Sequence, residues 1–379
     1  MSALISNSLF KKIFKVLIVI LTLYIFLLSI KLLGHSFKLL GKGFAETLIQ
    51  MTSNPFAGLL IGIVATSLIQ SSSTTTSIVV GLVAGGALNL AGAVPIIMGA
   101  NIGTTITNTL VSFGHITNRI EFKRAFSSSV VHDFFNILAV IVLFPLELYY
   151  NVITRVAVQM EGLFSGAGGY KAFNPLNAII DPVIGVFDNL FSYLPYTHIM
   201  LMVFSIILMF FALTNLIKTM RSLVLTQLEV IINDYLFKNA LTGLLFGILM
   251  TILVQSSSIT TSMIIPLAGA GVVTIRQLFP YTLGTNIGTT VTALLAAMTT
   301  QNDIAVTVAF SHLIFNIFGI VILYPLKEIP IRLAEWVGEI ASVSTKNLTI
   351  FITVYILLHF IPVMFIILIN RKAMLCGKN

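Results

Sequence analysis

The sequence is poor in charge and has almost no cysteine. Only 9% of the 379 residues are Asp, Glu, Lys or Arg, whereas 57% are apolar. A soluble domain carries about 25% charged residues, so these charges are too few to cover a water-soluble globule. Lipid must therefore be the solvent for most of the surface. The single cysteine, Cys376, excludes an intramolecular disulfide and a cysteine-ligated metal cluster.

Signals for nucleic-acid binding and for catalysis are also missing. The net charge of +8 comes largely from basic residues at the ends of apolar runs, such as Lys15 and Arg371, which is typical of lipid-spanning segments. A serine hydrolase could draw on Ser127–Ser129, His132 and Asp133, but no Gly-x-Ser-x-Gly elbow surrounds these serines. We therefore expect neither an enzyme nor a nucleic-acid partner. An intramembrane hydrolase and an ion channel stay as lesser alternatives.

Three segments have the length and composition of simple membrane spans. Val16–Ile30 is flanked by Lys15 and Lys31 and has no small-x-small cleavage site behind it, so we expect it to remain as a first helix. Thr197–Ile217 and Leu348–Ile369 each provide about 20 mainly apolar residues, enough to cross the hydrocarbon core.

An internal repeat occupies most of the remaining chain. A shift of 185 positions places residues 54–110 on residues 239–295 without a gap, and 26 of the 57 aligned positions are identical. Gln70–Ser73 then falls on Gln255–Ser258, and the Asn-Ile-Gly-Thr-Thr sequence that begins at Asn101 recurs in the second copy. The chain is therefore a duplicated unit.

Loop charges indicate that the two copies are inverted. Residues 118–124 contain three basic residues, whereas the counterpart, residues 298–303, contains none. The next loop reverses the bias, because residues 146–196 hold two basic residues in 51 and residues 326–347 hold three in 22. Short basic loops stay cytoplasmic, so equivalent loops lie on opposite sides. Inverted repeats with broken helices are typical of secondary transporters, which bind their substrate near the midplane.

The predicted fold class is an all-α polytopic membrane protein with two inverted-topology repeats. We expect it in the cell membrane with a cytoplasmic N-terminus. Residues 146–196 are expected to be external, and Gly166, Gly168, Gly169 and Pro175 mark them as loop rather than helix. The predicted units are residues 1–53 (N-terminal helix and connector), 54–146 (first transport repeat), 147–196 (long external loop), 197–236 (linking span and connector), 237–326 (second transport repeat) and 327–379 (cytoplasmic connector, last span and tail).

Each repeat carries a polar run at membrane depth, Gln70–Ser77 or Gln255–Ser262. The apolar segment before each run is about 12 residues long and rises about 18 Å, half a bilayer. This pattern predicts a re-entrant hairpin with Gln-Ser-Ser-Ser at its tip and a second helix just after it. Serine hydroxyls and backbone N–H groups there can hold an oxyanion, and Gln, Ser and Thr oxygens can hold Na⁺. Isolated serines more often join transmembrane helices, but the matched recurrence favours a site.

The second polar cluster of each repeat adds further oxygen donors. Thr104 and Thr107 are about one helical turn apart, as are Thr289 and Thr292, so each pair shares a helix face.

Two histidines are spaced i, i+4 from an asparagine and align at an offset of 180 positions, His132 with Asn136 and His312 with Asn316. An ionisable group inside a membrane suggests a proton relay, but we favour a structural hydrogen bond between helices. Asp133 has no acidic counterpart in the second repeat.

Together these motifs resemble the type II sodium-dependent phosphate cotransporters over about residues 15–369. The similar stretches are Gln70–Ser77, Pro95–Thr104, Glu121–Phe126, Val131–Asn136, Gln255–Ser258 and Gly284–Thr290. Because several unrelated short motifs occur in the family's order, the match is specific. The resemblance implies uptake of inorganic phosphate driven by Na⁺, with no cofactor besides this coupling ion. A sodium-coupled carrier for another small anion is the alternative.

The resemblance and the oxygen chemistry define two sets of candidate residues. In the family, the matching tip serines face phosphate, and positions equivalent to Gln255, Ser256, Thr289 and Thr292 belong to a sodium site. The full phosphate set is Gln70, Ser71, Ser72, Ser73, Ser257 and Ser258. The full sodium set is Gln255, Ser256, Asn101, Thr104, Thr107, Asn286, Thr289 and Thr292. Expected partners are phosphate, Na⁺ and the lipid bilayer, and a homodimer stays open.

Three departures from the family pattern qualify these expectations. Vertebrate relatives have cysteines in the long external loop, where this chain has none. Electrogenic relatives carry an aspartate where Asn118 stands, which leaves the sodium stoichiometry open. Vertebrate relatives also have a further apolar segment after the last span, which this sequence lacks. Because residues 326–347 are expected inside and one span follows them, we expect the C-terminus outside.

Overall fold

The computed structural model describes residues 2–39, 46, 49–169, 174–235 and 239–357. These residues form helices joined by short turns, and no strand occurs among them. The helices are α1 Ser2–Leu39, α2 Pro55–Ile69, α3 Ser72–Ala84, α4 Leu90–Ile102, α5 Ile106–Ser112, α6 Arg119–Tyr150, α7 Val152–Gly166, α8 Asn174–Ser192, α9 Thr197–Tyr235, α10 Ala240–Val254, α11 Ser257–Ser262, α12 Ile265–Gly269, α13 Ile275–Thr300, α14 Asp303–Leu323, α15 Glu328–Val343 and α16 Thr345–Leu357. Short 3₁₀ turns at Gly103–Thr105 and Phe113–His115 flank α5.

Five stretches of the described chain are long and apolar enough to cross a membrane. They are Ile13–Leu39, Leu90–His115, Arg119–Tyr150, Thr197–Thr219 and Asp303–Leu323. The first and fourth match the spans predicted in the N-terminal helix and after residue 196, which confirms those predictions by length and composition. Of the third predicted span, Leu348–Ile369, only the part within α16 is described. Residues 358–379, with Arg371, Lys372 and Cys376, lie outside the described residues.

Equivalent helix pairs in the two repeats pack through equivalent glycines. α2 packs on α4 in the first repeat, and α10 packs on α13 in the second. A Cβ atom at Gly62 would come within 2.0 Å of the Ile96 carbonyl, and one at Gly247 within 2.2 Å of the Tyr281 carbonyl. Gly62 and Gly247 are 185 positions apart, so the duplicated sequence has kept the same close helix contact in both copies.

The two repeats differ in which helix is interrupted. In the first repeat α3 is continuous, whereas its counterpart is split into α11 and α12. Pro266 stands where the first repeat has Gly81, and a proline cannot donate its backbone N–H within a helix. Conversely, the 3₁₀ turn Gly103–Thr105 interrupts the first repeat at a point where α13 runs on unbroken.

The prediction that residues 146–196 are loop rather than helix is wrong. α7 and α8 occupy most of this stretch, and both are amphipathic, burying Ile153 and Ala157 from α7 and Ile180 from α8. The glycines and proline that suggested a loop lie at helix ends: Gly166 is the last residue of α7, and Pro175 is the second residue of α8. A similar amphipathic helix, α15, follows α14 within the predicted connector after residue 326.

Charged pairs gather at the two ends of α13. At its N-terminal end, Arg276 bonds Glu328 and Glu335, and the neighbouring Lys123 at the start of α6 bonds Glu339. At its other end, Thr300 lines a cavity with Lys31, which bonds Asp181 of α8. α13 has 26 residues and is therefore about 39 Å long. The polar residues of its middle lie between these two charged ends.

Candidate functional site

Both Gln-Ser-Ser-Ser motifs form a tight turn between two helices, which is called a reversal below. Gln70 ends α2 with φ 59°, and Gln255 ends α10 with φ 57°. The next residue in each case, Ser71 or Ser256, is extended and caps the following helix, its hydroxyl accepting from the backbone N–H three residues ahead. Helix, left-handed Gln, capping Ser and second helix therefore recur in the same order, and the predicted helix start after each motif is confirmed.

Each motif glutamine is held by the threonine 37 residues after it. The Thr107 hydroxyl donates to Gln70 Oε1 at 2.9 Å, and the Thr292 hydroxyl donates to Gln255 Oε1 at 2.7 Å. The amide nitrogen of each glutamine bonds a carbonyl in the last turn of its own helix. A side-chain amide oxygen and a threonine oxygen thus lie together at each reversal, and both are ligands suited to a hard cation.

Several hydroxyls at the two reversals have no protein partner. Among the described residues, the Oγ atoms of Ser72, Ser73 and Ser257 make no hydrogen bond to another protein group, although these residues are buried. In α3 the backbone N–H groups of Ser72 and Ser73 also lack intrahelical acceptors, whereas that of Thr74 is capped by Ser71. These free groups are donors at the reversal that a bound oxyanion would satisfy.

The second motif makes direct contact with the first repeat. Ser258 Oγ donates to the Thr104 carbonyl at 3.2 Å, where the 3₁₀ turn interrupts the first repeat. Thr261 and Ser262 both donate to Asn108 Oδ1, at 2.8 and 2.9 Å. The first motif in turn contacts the second repeat, because α3 packs against α13. Each motif helix therefore rests on the polar helix of the other repeat.

A buried hydrogen-bond chain joins the two repeats at Asn286. His132 Nε2 lies 2.6 Å from Asn286 Oδ1, which can only accept, so Nε2 carries the proton. Asn286 Nδ2 donates to Asn136 Oδ1 at 2.8 Å, and Asn136 Nδ2 donates to the Asn101 carbonyl at 2.7 Å. The interhelix hydrogen bond predicted for His132 is therefore present.

The equivalent hydrogen bonds are absent at His312 and Asn316 of the second repeat, among the described residues. His312 is fully buried, yet neither ring nitrogen has a hydrogen-bond partner among the described residues. Asn316 Oδ1 is likewise unpaired, and Asn316 Nδ2 bonds only the His312 carbonyl. The prediction of an interhelix bond is thus wrong for His312. The equivalent His and Asn side chains are thus hydrogen-bonded to other helices in the first repeat but not in the second.

The other predicted residues are also buried in this region. Thr104 and Thr289 each donate to the carbonyl four residues before them, which leaves their oxygen lone pairs available. Asn101 Nδ2 bonds the Ile97 carbonyl within α4. No hydrogen bond among the described residues joins Gln70–Ser73 directly to Gln255–Ser258, so the two motifs meet through the helices that carry their partners.

Sequence reasoning missed two features of this region. One is the role of Asn108 as acceptor for Thr261 and Ser262, since only the general polarity of these stretches was visible. The other is the partner of Asp133, which is buried and lies 3.4 Å from the hydroxyl of Tyr355 in α16. An acid within an apolar helix is itself a signal for a buried polar partner. Within the described residues no cluster of three His, Cys, Asp or Glu side chains could hold a metal ion.

Comparison with known proteins gives a consistent result. A family model described as Na+/Pi-cotransporter matches residues 25–167 and 208–335. The sodium-dependent phosphate transport protein 2A of Rattus norvegicus is 33% identical over an alignment covering 92% of this chain and 66% of the relative. The corresponding protein 2B of Homo sapiens is 33% identical, over 84% of this chain and 60% of the relative. The chain thus spans slightly less than two thirds of the length of these relatives. No solved structure matches it significantly.

Proposed function

The chain belongs to the Na+/Pi-cotransporter family, and from that membership we propose that it is a sodium-coupled secondary active transporter that imports inorganic phosphate by alternating access. The observation that carries this proposal is the pair of matched reversals, each with a glutamine oxygen bonded by a threonine 37 residues later. A duplicated set of neutral oxygens at membrane depth is suited to binding ions.

The phosphate set comprises Gln70, Ser71–Ser73 and Ser257–Ser258. Support comes from the unpartnered hydroxyls of Ser72, Ser73 and Ser257 and from the first-turn N–H groups of α3. Hydrogen-bond donors of this kind, assisted by the helix dipole, are suited to an oxyanion.

The sodium set comprises carbonyl, amide and hydroxyl oxygens. It contains Gln255, Ser256, Asn101, Thr104, Thr107, Asn286, Thr289 and Thr292, which all lie at or near the reversals or in the helices packed on them. Neither motif contains an arginine or lysine. The positive charge that offsets a bound phosphate would therefore come from Na⁺, which is the physical reason to couple the two.

Inverted topology is the second part of the proposal. The first repeat's polar helices end at His115, whose ring lies against Gly269, just before α13 starts. α4 and α5 therefore end where their counterpart α13 begins, and equivalent helices run in opposite directions. With each reversal between two short helices, we infer re-entrant hairpins inserted from opposite faces.

The orientation follows from charge. The start of α6, with Arg119, Lys123 and Arg124, adjoins the basic start of α13, and short basic segments stay in the cytoplasm. The N-terminus would then be cytoplasmic, residues 146–196 external, and the cell membrane the location. Na⁺ would be the coupling ion, without any cofactor.

The deciding experiment is radiolabelled phosphate uptake into proteoliposomes holding the purified chain. With an inward Na⁺ gradient we expect accumulation above equilibrium, and with K⁺ in place of Na⁺ only the leak of protein-free vesicles. Equal uptake in K⁺ would reject sodium coupling. Competition by sulfate as strong as that by unlabelled phosphate would favour the alternative, a carrier for another small anion.

A further inference from the structure

Two basic cavities lie at the two ends of α13. The first, here called the arginine cavity, has a volume of about 310 Å³ and is lined by Lys123, Arg124, Ser127, Ser128, Thr274, Arg276 and Glu335, among others. The second, here called the lysine cavity, has a volume of about 220 Å³ and is lined by Lys31, Gly34, His35, Lys38, Ile184 and Thr300, among others. Since α13 has 26 residues and is therefore about 39 Å long, and the hydrocarbon core is about 30 Å thick, the two cavities lie far enough apart to serve opposite membrane faces.

The arginine cavity has one basic group whose charge is not offset. Lys123 bonds Glu339, and Arg276 bonds Glu328 and Glu335. The hydrogen bonds from Arg276 also lower the pKa of Glu328, so this carboxylate stays ionised and continues to offset the arginine. Arg124, in contrast, has no acidic side chain within ion-pair distance among the described residues.

The Arg124 side chain reaches the turn that follows α12. Its guanidinium lies against Gly271, where an added Cβ would come within 2.5 Å of Arg124 Nη1. Gly271 has φ 79°, a conformation that glycine adopts without strain. Because Gly271 has no side chain, the Arg124 guanidinium can occupy this space at the cavity wall.

Two buried serines complete the donor set. Ser127 and Ser128 are 4% and 2% exposed, line the arginine cavity, and make no hydrogen bond to another protein group among the described residues. A guanidinium and two hydroxyls are the donors that a phosphate group takes. Ser128 lies one helical turn before His132, so this wall of the cavity continues along α6 to the His132–Asn286 bond.

The lysine cavity repeats the charge arrangement in a simpler form. Lys31 bonds Asp181, and His35 bonds Asp188, both acids coming from α8. Lys38 has no acidic side chain within ion-pair distance among the described residues. Each cavity therefore offers one basic side chain that is free to meet an anion.

We infer that the two cavities are vestibules that dock a phosphate group on opposite faces of the membrane, through Arg124 in one and Lys38 in the other. The inference rests on the proposed transport function and adds to it two sites outside the Gln-Ser-Ser-Ser motifs. The docked group is a phosphate monoanion or dianion, supplied either by the free substrate or by a lipid headgroup. Docking raises the local concentration of the anion at the cavity, next to the buried polar residues of the two repeats, without binding the anion among them.

Sided transport measurements test this inference. Phosphate uptake is measured in right-side-out and inside-out vesicles, each presenting one face to the added phosphate, for Arg124→Gln and Lys38→Gln. We expect Arg124→Gln to raise the half-saturating phosphate concentration about tenfold at one face only, since a charge-assisted hydrogen bond is worth about that factor. Lys38→Gln should raise it about threefold at the other face only, because an exposed flexible lysine contributes less.

Matched controls separate docking from a general loss of positive charge. Arg332→Gln removes an exposed cation from α15, the helix whose Glu335 lines the arginine cavity, and Arg155→Gln removes an exposed cation from α7. Neither residue lines the arginine cavity or the lysine cavity, so both variants should leave both half-saturating phosphate concentrations unchanged. Arg124→Lys, which keeps the charge, should recover most of the loss and covers the case in which the glutamine variant folds poorly.

Lipid composition distinguishes the two sources of the phosphate group. In proteoliposomes of phosphatidylcholine alone, an Arg124→Gln effect that persists identifies free phosphate, whereas one that appears only after phosphatidylglycerol is added identifies a lipid headgroup. Equal shifts at both faces, or no shift with either variant, would overturn the vestibules while wild-type uptake stays intact. Loss of sodium-dependent uptake in the wild type itself would instead reject the proposed function.

Discussion

His132 and Asn286 join the two repeats through a 2.6 Å hydrogen bond, while His312, the repeat equivalent of His132, is buried without any such bond. An inverted repeat would allow the same contact twice, but the structure makes it once. The two repeats therefore differ in conformation. Their helix breaks differ as well, because the first repeat is interrupted between α4 and α5 and the second between α11 and α12. A difference between equivalent halves is what a transporter open to one side requires.

The first prediction compares His132→Ala with His312→Ala. The two substitutions leave similar voids, but only the first leaves Asn286 Oδ1 buried without its donor, which costs about 1–3 kcal/mol. We expect the apparent melting temperature in detergent to fall further for His132→Ala, together with a larger loss of phosphate uptake. Equal losses in melting temperature would show that the hydrogen bond contributes nothing beyond the volume of the ring.

The second prediction concerns Gln255, whose Oε1 accepts from Thr292 at 2.7 Å. Gln255→Ala should raise the half-activating Na⁺ concentration about 5–150-fold, the equivalent of about 1–3 kcal/mol for a lost oxygen ligand in a desolvated site. Gln50→Ala removes the same amide from an exposed position before the first repeat and should leave sodium activation unchanged. A Gln255→Ala protein that folds normally and keeps the wild-type sodium curve would exclude Gln255 from the sodium site.

The duplication and the two reversals could be predicted from the sequence because both rest on local pattern. A helix broken by Gln-Ser-Ser-Ser is visible in residues 70–73. The expected shared helix face of Thr104 and Thr107 was less secure, because Thr104 stands in the 3₁₀ turn just before α5. The ion-binding roles of these residues stay predictions. What the sequence could not indicate is the difference between the halves, since His132 and His312 each stand four residues before an asparagine at equivalent positions. Only Pro266 in place of Gly81 signalled that the second copy would break at a different point.

The amphipathic helices were hidden for another reason. α7 and α8 together contain several glycines and prolines, and these outweighed the apolar periodicity around Ile153 and Ile180 in the sequence reading. Because Gly166, Gly168, Gly169 and Pro175, which suggested a loop, stand at the ends of α7 and α8 or between them, they mark helix boundaries and not the absence of helix. Burial against α14 and the α1–α9 region then decides that the segments fold as helices.

The third prediction tests the orientation of the chain. With Cys376 replaced by serine, Ser165→Cys at the end of α7 and Arg332→Cys in α15 should each react with an impermeant thiol reagent from one side only, and from opposite sides. Both positions are exposed, whereas Ser127 in the basic segment is 4% exposed and would label poorly. Reaction of both cysteines from the same side would contradict the inverted topology.

The fourth prediction concerns the helix contact at Gly62. Gly62→Ala would bring a Cβ to within 2.0 Å of the Ile96 carbonyl in α4, so α2 and α4 must separate or the helices must bend. We expect a loss of about 1–3 kcal/mol or more, as for other overpacked interiors, measured as reduced thermal stability and reduced yield of monodisperse protein. Because Gly247 makes the equivalent contact at 2.2 Å with the Tyr281 carbonyl, Gly247→Ala should cost a similar amount.

Gly185→Ala in α8 is the matched control, since nothing lies within 4 Å of its added Cβ, and alanine in a helix is favoured over glycine by about 0.5–1 kcal/mol. If Gly62→Ala were as stable as Gly185→Ala, the close packing of α2 on α4 could not be what fixes the position of the first reversal.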